Sequence, residues 1–287
     1  MGWPSRPVPT PVTNRAGELK ERRHGRVDVR AELQEPALNP PERAIILSAG
    51  QGRRLSPLTD RRPKCLINLS GRTMLGWQLL RLEAAGVREA VVVTGFGANL
   101  VDAEIARLAQ GPLKVRTLFN PFYALADNLA SCWLARREFD QSVLLLNGDT
   151  LFETAIAERL IGAPPAEITL AIDRKPTYDS DDMKVQTDGS RLCAIGKSIE
   201  TYDAESIGFL RFSADGAARF SHAIEEAMRR PEGLKRWYLS VIDHLAHTTD
   251  AVAVQSIEGL EWGETDFPED VAANVALTAS WVAKGAG

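Results

Sequence analysis

The sequence is poor in cysteine, with three in 287 residues, at positions 65, 132 and 193. An odd, scattered set of that kind excludes a disulfide framework and a cysteine zinc cluster. It fits a reducing compartment, so a cytoplasmic location is the expectation. Histidine is almost as scarce, and His24, His222, His244 and His247 have no metal-ligand spacing near other ligands. No run of about 18 apolar residues occurs, so no segment is read as crossing a membrane. Positive charge is not in excess either: 34 basic against 38 acidic residues leave a net charge of -4, which argues against general nucleic-acid binding. No Ser-His-Asp or Cys-His pattern for covalent catalysis is legible.

What is present is ordinary globular material, 44% hydrophobic and 25% charged, long enough for one large domain or two small ones. Met1–Pro41 differs: it carries prolines at 4, 7, 9, 11, 36, 40 and 41, many charges and no sustained apolar period. Such a segment cannot bury enough surface to offset its ordering entropy. It is expected to be a disordered arm with a short helix near Ala16 to Arg23, and residues 42–287 are read as a single domain.

The most informative stretch is Ala44 to Leu69. A β-type apolar run, Ala44-Ile45-Ile46-Leu47, empties into Ser48-Ala49-Gly50-Gln51-Gly52, then Arg53-Arg54 and, further on, Pro63-Lys64. Glycines without a Cβ let backbone N–H groups come close to an anion, and Arg54 and Lys64 add full charge. The combination suits a triphosphate. A Walker loop is excluded because Arg53-Arg54, not Lys-Ser/Thr, follow Gly52. A dinucleotide loop is excluded because Pro57 and Pro63 break the helix that should follow it.

Downstream, helical spacing over Thr73 to Ala85 and Ala98 to Ala109 alternates with apolar strands at Glu89 to Thr94 and Leu113 to Phe119. This alternation predicts a mainly parallel sheet covered by helices, with ligands beyond the carboxyl ends of its strands. Ser142 to Leu146 is a further strand, and it ends in Asn147-Gly148-Asp149. Asp127 or Asn128 is placed to cap the helix running to about Arg137. From Glu167 the pattern becomes strand-rich, with Asp188-Gly189 as a hairpin turn. Helices follow at Asp215 to Arg229 and Trp237 to His247, then a strand at Ala251 to Ile257 and a helix entered at Pro268.

The string A-G-x-G-x-R-L-x-P-L-T, at Ala49 to Thr59, with Pro63-Lys64 beyond it, resembles the signature of the nucleotidyltransferases that activate sugar phosphates and phosphoalcohols. The resemblance extends over roughly Arg43 to Ser280. Asn120-Pro121-Phe122-Tyr123 followed by Asn128 and Ser131, together with Asp181-Asp182-Met183-Lys184-Val185, is similar to the phosphocholine cytidylyltransferase branch. The resemblance implies a Rossmann-like three-layer α/β/α fold with a mixed, mainly parallel central sheet and a strand-rich region covering the substrate.

It also implies a set of site residues. Ser48, Ala49, Gly50, Gln51, Gly52, Arg53, Arg54, Lys64, Asn128 and Gly148 would bind the nucleotide, with Lys64, Arg54 and Asp149 as the catalytic set. Asp149 and Asp266, the latter in W-x-E-x-D-x-P-E-D, match the family's two magnesium ligands, so Mg2+ is the expected cofactor. Tyr123, Tyr178, Lys197, Glu205 and Trp237 are candidates for the acceptor: aromatic faces suit a quaternary ammonium, and Lys197 suits a phosphate.

The expected activity is transfer of CMP from CTP, or of another nucleotidyl group from its triphosphate, to a phosphoalcohol such as phosphocholine, with release of pyrophosphate. Sugar 1-phosphates, inositol 1-phosphate and aminoalkylphosphonates stay open as acceptors, as does a non-catalytic nucleotide-binding regulator. Retention of Lys64, Asp149 and Asp266 favours an enzyme. The expected partners are therefore an NTP and a small phosphate monoester or phosphonate. The sequence does not set the oligomeric state.

Overall fold

The computed structural model describes residues 40–108 and 111–285. The disorder and the short helix expected in the amino-terminal arm lie outside these residues, apart from Pro40 and Pro41. These described residues cluster as one compact unit.

The chain enters through β1 (Arg43–Ser48), whose Ala44, Ile45 and Ile46 are wholly buried, as an unbroken apolar run in a parallel sheet requires. The glycine loop follows, with 3-10 turns at Arg53–Leu55 and Lys64–Leu66. A short hairpin, β2 (Asn68–Leu69) and β3 (Arg72–Thr73), leads into α1 (Met74–Ala84), where the Thr73 hydroxyl caps the helix by accepting from the Gly76 N–H at 3.1 Å. Then come β4 (Glu89–Thr94), α2 (Ala98–Leu108) and β5 (Lys114–Phe119). After α3 (Asn128–Leu134) the chain forms β6 (Val143–Asn147), β7 (Thr150–Phe152) and α4 (Thr154–Ile161).

The strand-rich part consists of β8 (Ile168–Asp173), β9 (Lys184–Asp188), β10 (Arg191–Gly196) and β11 (Ala204–Phe212). The chain finishes with α5 (Ala214–Met228), α6 (Leu239–Thr248), β12 (Val252–Ser256), β13 (Trp262–Glu264) and α7 (Pro268–Ala283). Among the described residues no helix is long and apolar enough to cross a membrane.

The central sheet has nine strands in the order β5-β4-β1-β6-β11-β8-β12-β10-β9. Its first four strands are parallel, and β11 then enters antiparallel between β6 and β8. This is the expected mixed, Rossmann-like architecture. The amino-terminal end of β11 also pairs with β9, so β11, β8, β12, β10 and β9 form a ring. From β1 the chain builds outward through β4 and β5, and then returns to lay β6 on the other flank of β1. The carboxyl ends of β1 and β6 therefore border a crevice at the point where strand order reverses, where open α/β sheets bind ligands.

Apolar clusters fill both faces of the sheet. One packs α3, α5 and α6 around Phe139, Phe212, Phe220 and Tyr238, and the other packs α1, α2 and α4 around Leu79, Val101 and Leu160. A third, smaller cluster joins Leu55 of the glycine loop to Trp77 of α1 and Trp281 of α7. That cluster ties the loop at one end of the sequence to the helix at the other.

Candidate active site

Where β1 ends, Ala49 and Gly50 form part of the wall of a cavity of about 410 Å³. Gly52 takes the left-handed conformation, with φ 76° and ψ 52°, and a Cβ there would lie 2.9 Å from the Lys64 Cβ. Glycine is therefore needed twice over, for the turn and for the lysine stem that crosses it. The loop is braced from behind: the Thr59 hydroxyl donates to the Gly52 carbonyl at 2.7 Å and the Gln51 amide to the Thr59 carbonyl at 3.4 Å. Gln51 thus acts on the loop itself, and Arg53 is exposed and does not line the cavity. Ser48 is buried with its hydroxyl unpartnered. A Cβ at Gly148 would come within 2.5 Å of that hydroxyl and of the Leu47 carbonyl, so glycine is what lets β6 end against β1.

Lys64 stands at the centre. Its Nζ lies 2.6 Å from Asp149 Oδ2 and 2.7 Å from Asp266 Oδ1. Arg54 bonds the other Asp266 oxygen at 2.9 Å and reaches Asp181 at 2.6 Å, and Lys197 bonds the second Asp181 oxygen at 2.5 Å. Three carboxylates and three cations thus alternate along one wall, from Asp149 to Lys197. Burial alone would lower the Lys64 ammonium, but Asp149 and Asp266 outweigh it and hold the group well above its ordinary value. The Lys197 and Arg54 bonds hold the Asp181 carboxyl below the usual carboxylate range. Asp266 is positioned from α7, whose Asp270 accepts from the backbone N–H groups of Asp266 and Phe267 at 2.8 and 2.7 Å.

Two carboxylates converging on one positive charge suit a divalent cation. Asp149 Oδ1 is buried without a hydrogen-bond partner, which leaves a free oxygen ligand at the same place. No group of three or more metal-binding side chains occurs among the described residues. The donor set is therefore one that phosphate oxygens and water would complete, as Mg2+ commonly requires, and Asp149 and Asp266 fit that ion.

Of the other expected residues, Tyr123, Asn128, Lys197 and Trp237 line the cavity. Tyr123 packs on Gly95, where a Cβ would lie 2.5 Å from the tyrosine Cβ. Lys197 Nζ sits 5.1 Å from the centre of the Trp237 ring. Neither Asp127 nor Asn128 caps α3 with its side chain. Asp127 occupies the cap position without a capping bond, and Asn128 instead accepts from the Tyr238 N–H at 3.0 Å, joining α3 to the entrance of α6.

Tyr178 and Glu205 do not line the cavity. The Tyr178 hydroxyl donates to the Asp203 carbonyl at 3.2 Å, and Glu205 is buried behind the wall against Lys175 at 2.9 Å. Alternation along β11 explains this: Ser206 and Gly208 face the cavity, so Glu205 and Ile207 face away. Asp181 and Glu264 are wall residues that motif reasoning had not assigned. Glu264 precedes Asp266 by two positions and faces the cavity. It keeps exposed surface there, yet burial together with Asp149 and Asp266 raises its carboxyl above the usual range.

Residues 44–179 match the MobA-like NTP transferase domain. Over 237 residues the chain is 34% identical to the CMP-5'-(3-aminopropyl)phosphonate synthase of Streptomyces rubellomurinus, covering 80% of this chain and 38% of that protein. It is 23% identical over 253 residues to the CTP:phosphoglutamine cytidylyltransferase of Campylobacter jejuni, covering 79% of this chain and 97% of that one. The chain spans about half the length of several other relatives it matches. The solved inositol-1-phosphate CTP transferase from T. maritima superposes with a TM-score of 0.71 at 20% identity, over 83% of this chain and 96% of that one, which shows a shared fold.

Proposed function

We propose, for a chain whose residues 44–179 match the MobA-like NTP transferase domain, that it transfers CMP from CTP to the phosphate or phosphonate oxygen of a small amine-bearing acceptor such as phosphocholine, releasing pyrophosphate. The observation that carries the transfer is Lys64 held between Asp149 and Asp266 beneath the glycine loop. Relatives whose names include CMP or CTP support cytidine as the base. The amine-bearing acceptor is supported by Trp237 and Tyr123 sharing a wall with Asp127 and Glu264, since a cationic tail is attracted to aromatic faces and carboxylates.

The backbone of Ala49 to Gly52 would cradle the triphosphate, with Arg54 on its β- and γ-phosphates. Lys64 would hold the α-phosphate and the incoming acceptor oxygen side by side, neutralising charge as it builds at phosphorus. The acceptor oxygen forms the new bond to the α-phosphorus, and the bond to pyrophosphate breaks in line. An acceptor phosphate, with a second pKa of roughly 6, is already anionic at neutral pH, so no general base is needed. Mg2+ held by Asp149 and Asp266 would supply further charge neutralisation on the phosphates.

The test is pyrophosphate release with Mg2+, crossing four NTPs with phosphocholine, phosphoethanolamine, 2-aminoethylphosphonate, inositol 1-phosphate and glucose 1-phosphate, and with Asp149→Asn as the control. Release with CTP and an amine-bearing acceptor, lost in Asp149→Asn, is the expected result. Release with inositol or glucose 1-phosphate would keep the transfer and overturn the acceptor. Silence across the panel with CTP still bound would favour a regulatory nucleotide-binding protein.

A further inference from the structure

Asp181 is a member of the charged wall with no part in the transfer just described. Yet it binds Arg54, assigned to the nucleotide's β- and γ-phosphates, and Lys197, the candidate for the acceptor's phosphate. Its two oxygens lie 2.6 Å from Arg54 and 2.5 Å from Lys197, one cation to each oxygen. That is how two oxygens of a phosphate would engage the same pair. We propose that Asp181 is an internal stand-in for substrate phosphate, which keeps Arg54 and Lys197 ordered and together until the nucleotide or the acceptor displaces it. The proposal rests on the assignment of this cavity to an NTP and a phosphate-bearing acceptor.

The local structure suits a carboxylate that lets go without the chain unfolding. Asp181 lies in the connection between β8 and β9, whose backbone is fixed independently of its side chain. The Asp179 carboxylate accepts from the N–H groups of Asp181 and Asp182 at 2.7 and 3.0 Å, and Lys184 donates to the Asp179 carbonyl at 2.6 Å. Asp182 is anchored by Lys175 at 2.9 Å, and Lys175 in turn by Glu205. The Asp181 side chain is 38% exposed and Arg54 is 49% exposed, so a turn of the Asp181 side chain toward solvent releases both cations. Because one carboxylate holds both, an anion that displaces it from Arg54 also weakens its hold on Lys197. Nucleotide binding then favours acceptor binding, and by reciprocity the acceptor favours the nucleotide.

The strength of the effect follows from the exposure of the pairs. Two half-exposed ion pairs of ordinary strength compete with the ligand, so removing Asp181 should tighten anion binding roughly 3- to 30-fold. The probe is pyrophosphate, titrated calorimetrically into the full chain in Mg2+ buffer for the wild type, Asp181→Asn, Asp181→Glu and Glu200→Gln. Glu200 is exposed and three residues from Lys197, so its variant makes the same change in net charge without touching Arg54 or Lys197.

The expected result is tighter binding in Asp181→Asn, wild-type affinity in Asp181→Glu and Glu200→Gln, and a lower KM for CTP in Asp181→Asn without a rise in kcat. Unchanged or weaker pyrophosphate binding in Asp181→Asn would overturn the stand-in role. An equal gain in Glu200→Gln would also overturn it, by showing a general charge effect. Tighter pyrophosphate binding in Asp181→Asn with no turnover on any acceptor would uphold Asp181 and count against the transfer. Absence of pyrophosphate and CTP binding in every form would overturn both.

Discussion

Lys64 and Gly52 are a pair in which backbone geometry and chemistry depend on each other. Lys64→Ala would remove the cation proposed to hold the α-phosphate, and a loss of roughly 10²- to 10³-fold in kcat is expected, the scale for removing one preorganised donor from a transition state. Initial rates of pyrophosphate release measure it, and near-normal turnover would refute the assigned role. The fold should survive, because Lys64 pairs with cavity-facing carboxylates and not with the core. Gly52→Ala should behave differently. At φ 76° an alanine costs about 1–2 kcal/mol, and its methyl would also press on the Lys64 stem. Urea unfolding should show that loss of stability, and turnover should fall even where the variant is fully folded.

At the scale of elements, β11 and the connection from β8 to β9 form the wall behind the acceptor side, and their buried charges make that wall sensitive to pH. Burial raises the Glu205 carboxyl to about 7, against the pull of Lys175 and with a contribution from Asp182. Its folded pKa therefore lies above the ordinary 4.5. The stability tied to its protonated form is complete below pH 4.5 and is lost as pH rises through about 7. The Lys175 pKa is raised and the Asp182 pKa lowered, so neither titrates in that window. Urea midpoints at pH 5 and pH 8 should therefore fall less in Glu205→Gln than in the wild type, and equal falls would contradict the assignment. The same strand shows where the sequence was legible and where it was not. The parallel strands β1, β4 and β6 announce themselves as unbroken apolar runs because both faces are covered. In β11 the register with β8 shifts between Ser206 and Leu210, and Gly208 takes φ 68° against Asn147. Apolar patterning does not record such a shift. Glu205 was expected at the acceptor from family resemblance, whereas the alternation along β11 turns its neighbours Ser206 and Gly208 to the cavity and Glu205 away from it.

At the scale of the whole molecule, the site draws on both ends of the domain: Arg54 and Asp266, 212 positions apart, are hydrogen-bonded. Motif spelling pointed to Lys64, Asp149 and Asp266, which the structure brings together, because each sits just beyond a strand or a turn with a recognisable spelling. That Asp181 and Glu264 join them depends on the closed ring of strands and on the seating of α7, which are long-range contacts that local pattern does not encode. Those contacts have a testable anchor in Trp281. It is 2% exposed, stands edge-on to Trp77 with ring centres 5.8 Å apart, and donates its indole N–H to Glu261 at 2.8 Å. Trp281→Ala should cost about 3–5 kcal/mol, the scale for emptying a large aromatic site, out of a typical total of about 5–15. Because α7 also carries Asp270, which fixes the backbone of Asp266, loosening this helix should disturb the site as well as the core. The urea midpoint followed by circular dichroism should drop. Loss of pyrophosphate release should track that transition or precede it. An unchanged midpoint would mean that the two tryptophans do not couple α7 to α1, and activity persisting beyond the unfolding of α7 would mean that Asp266 is held by something other than this helix.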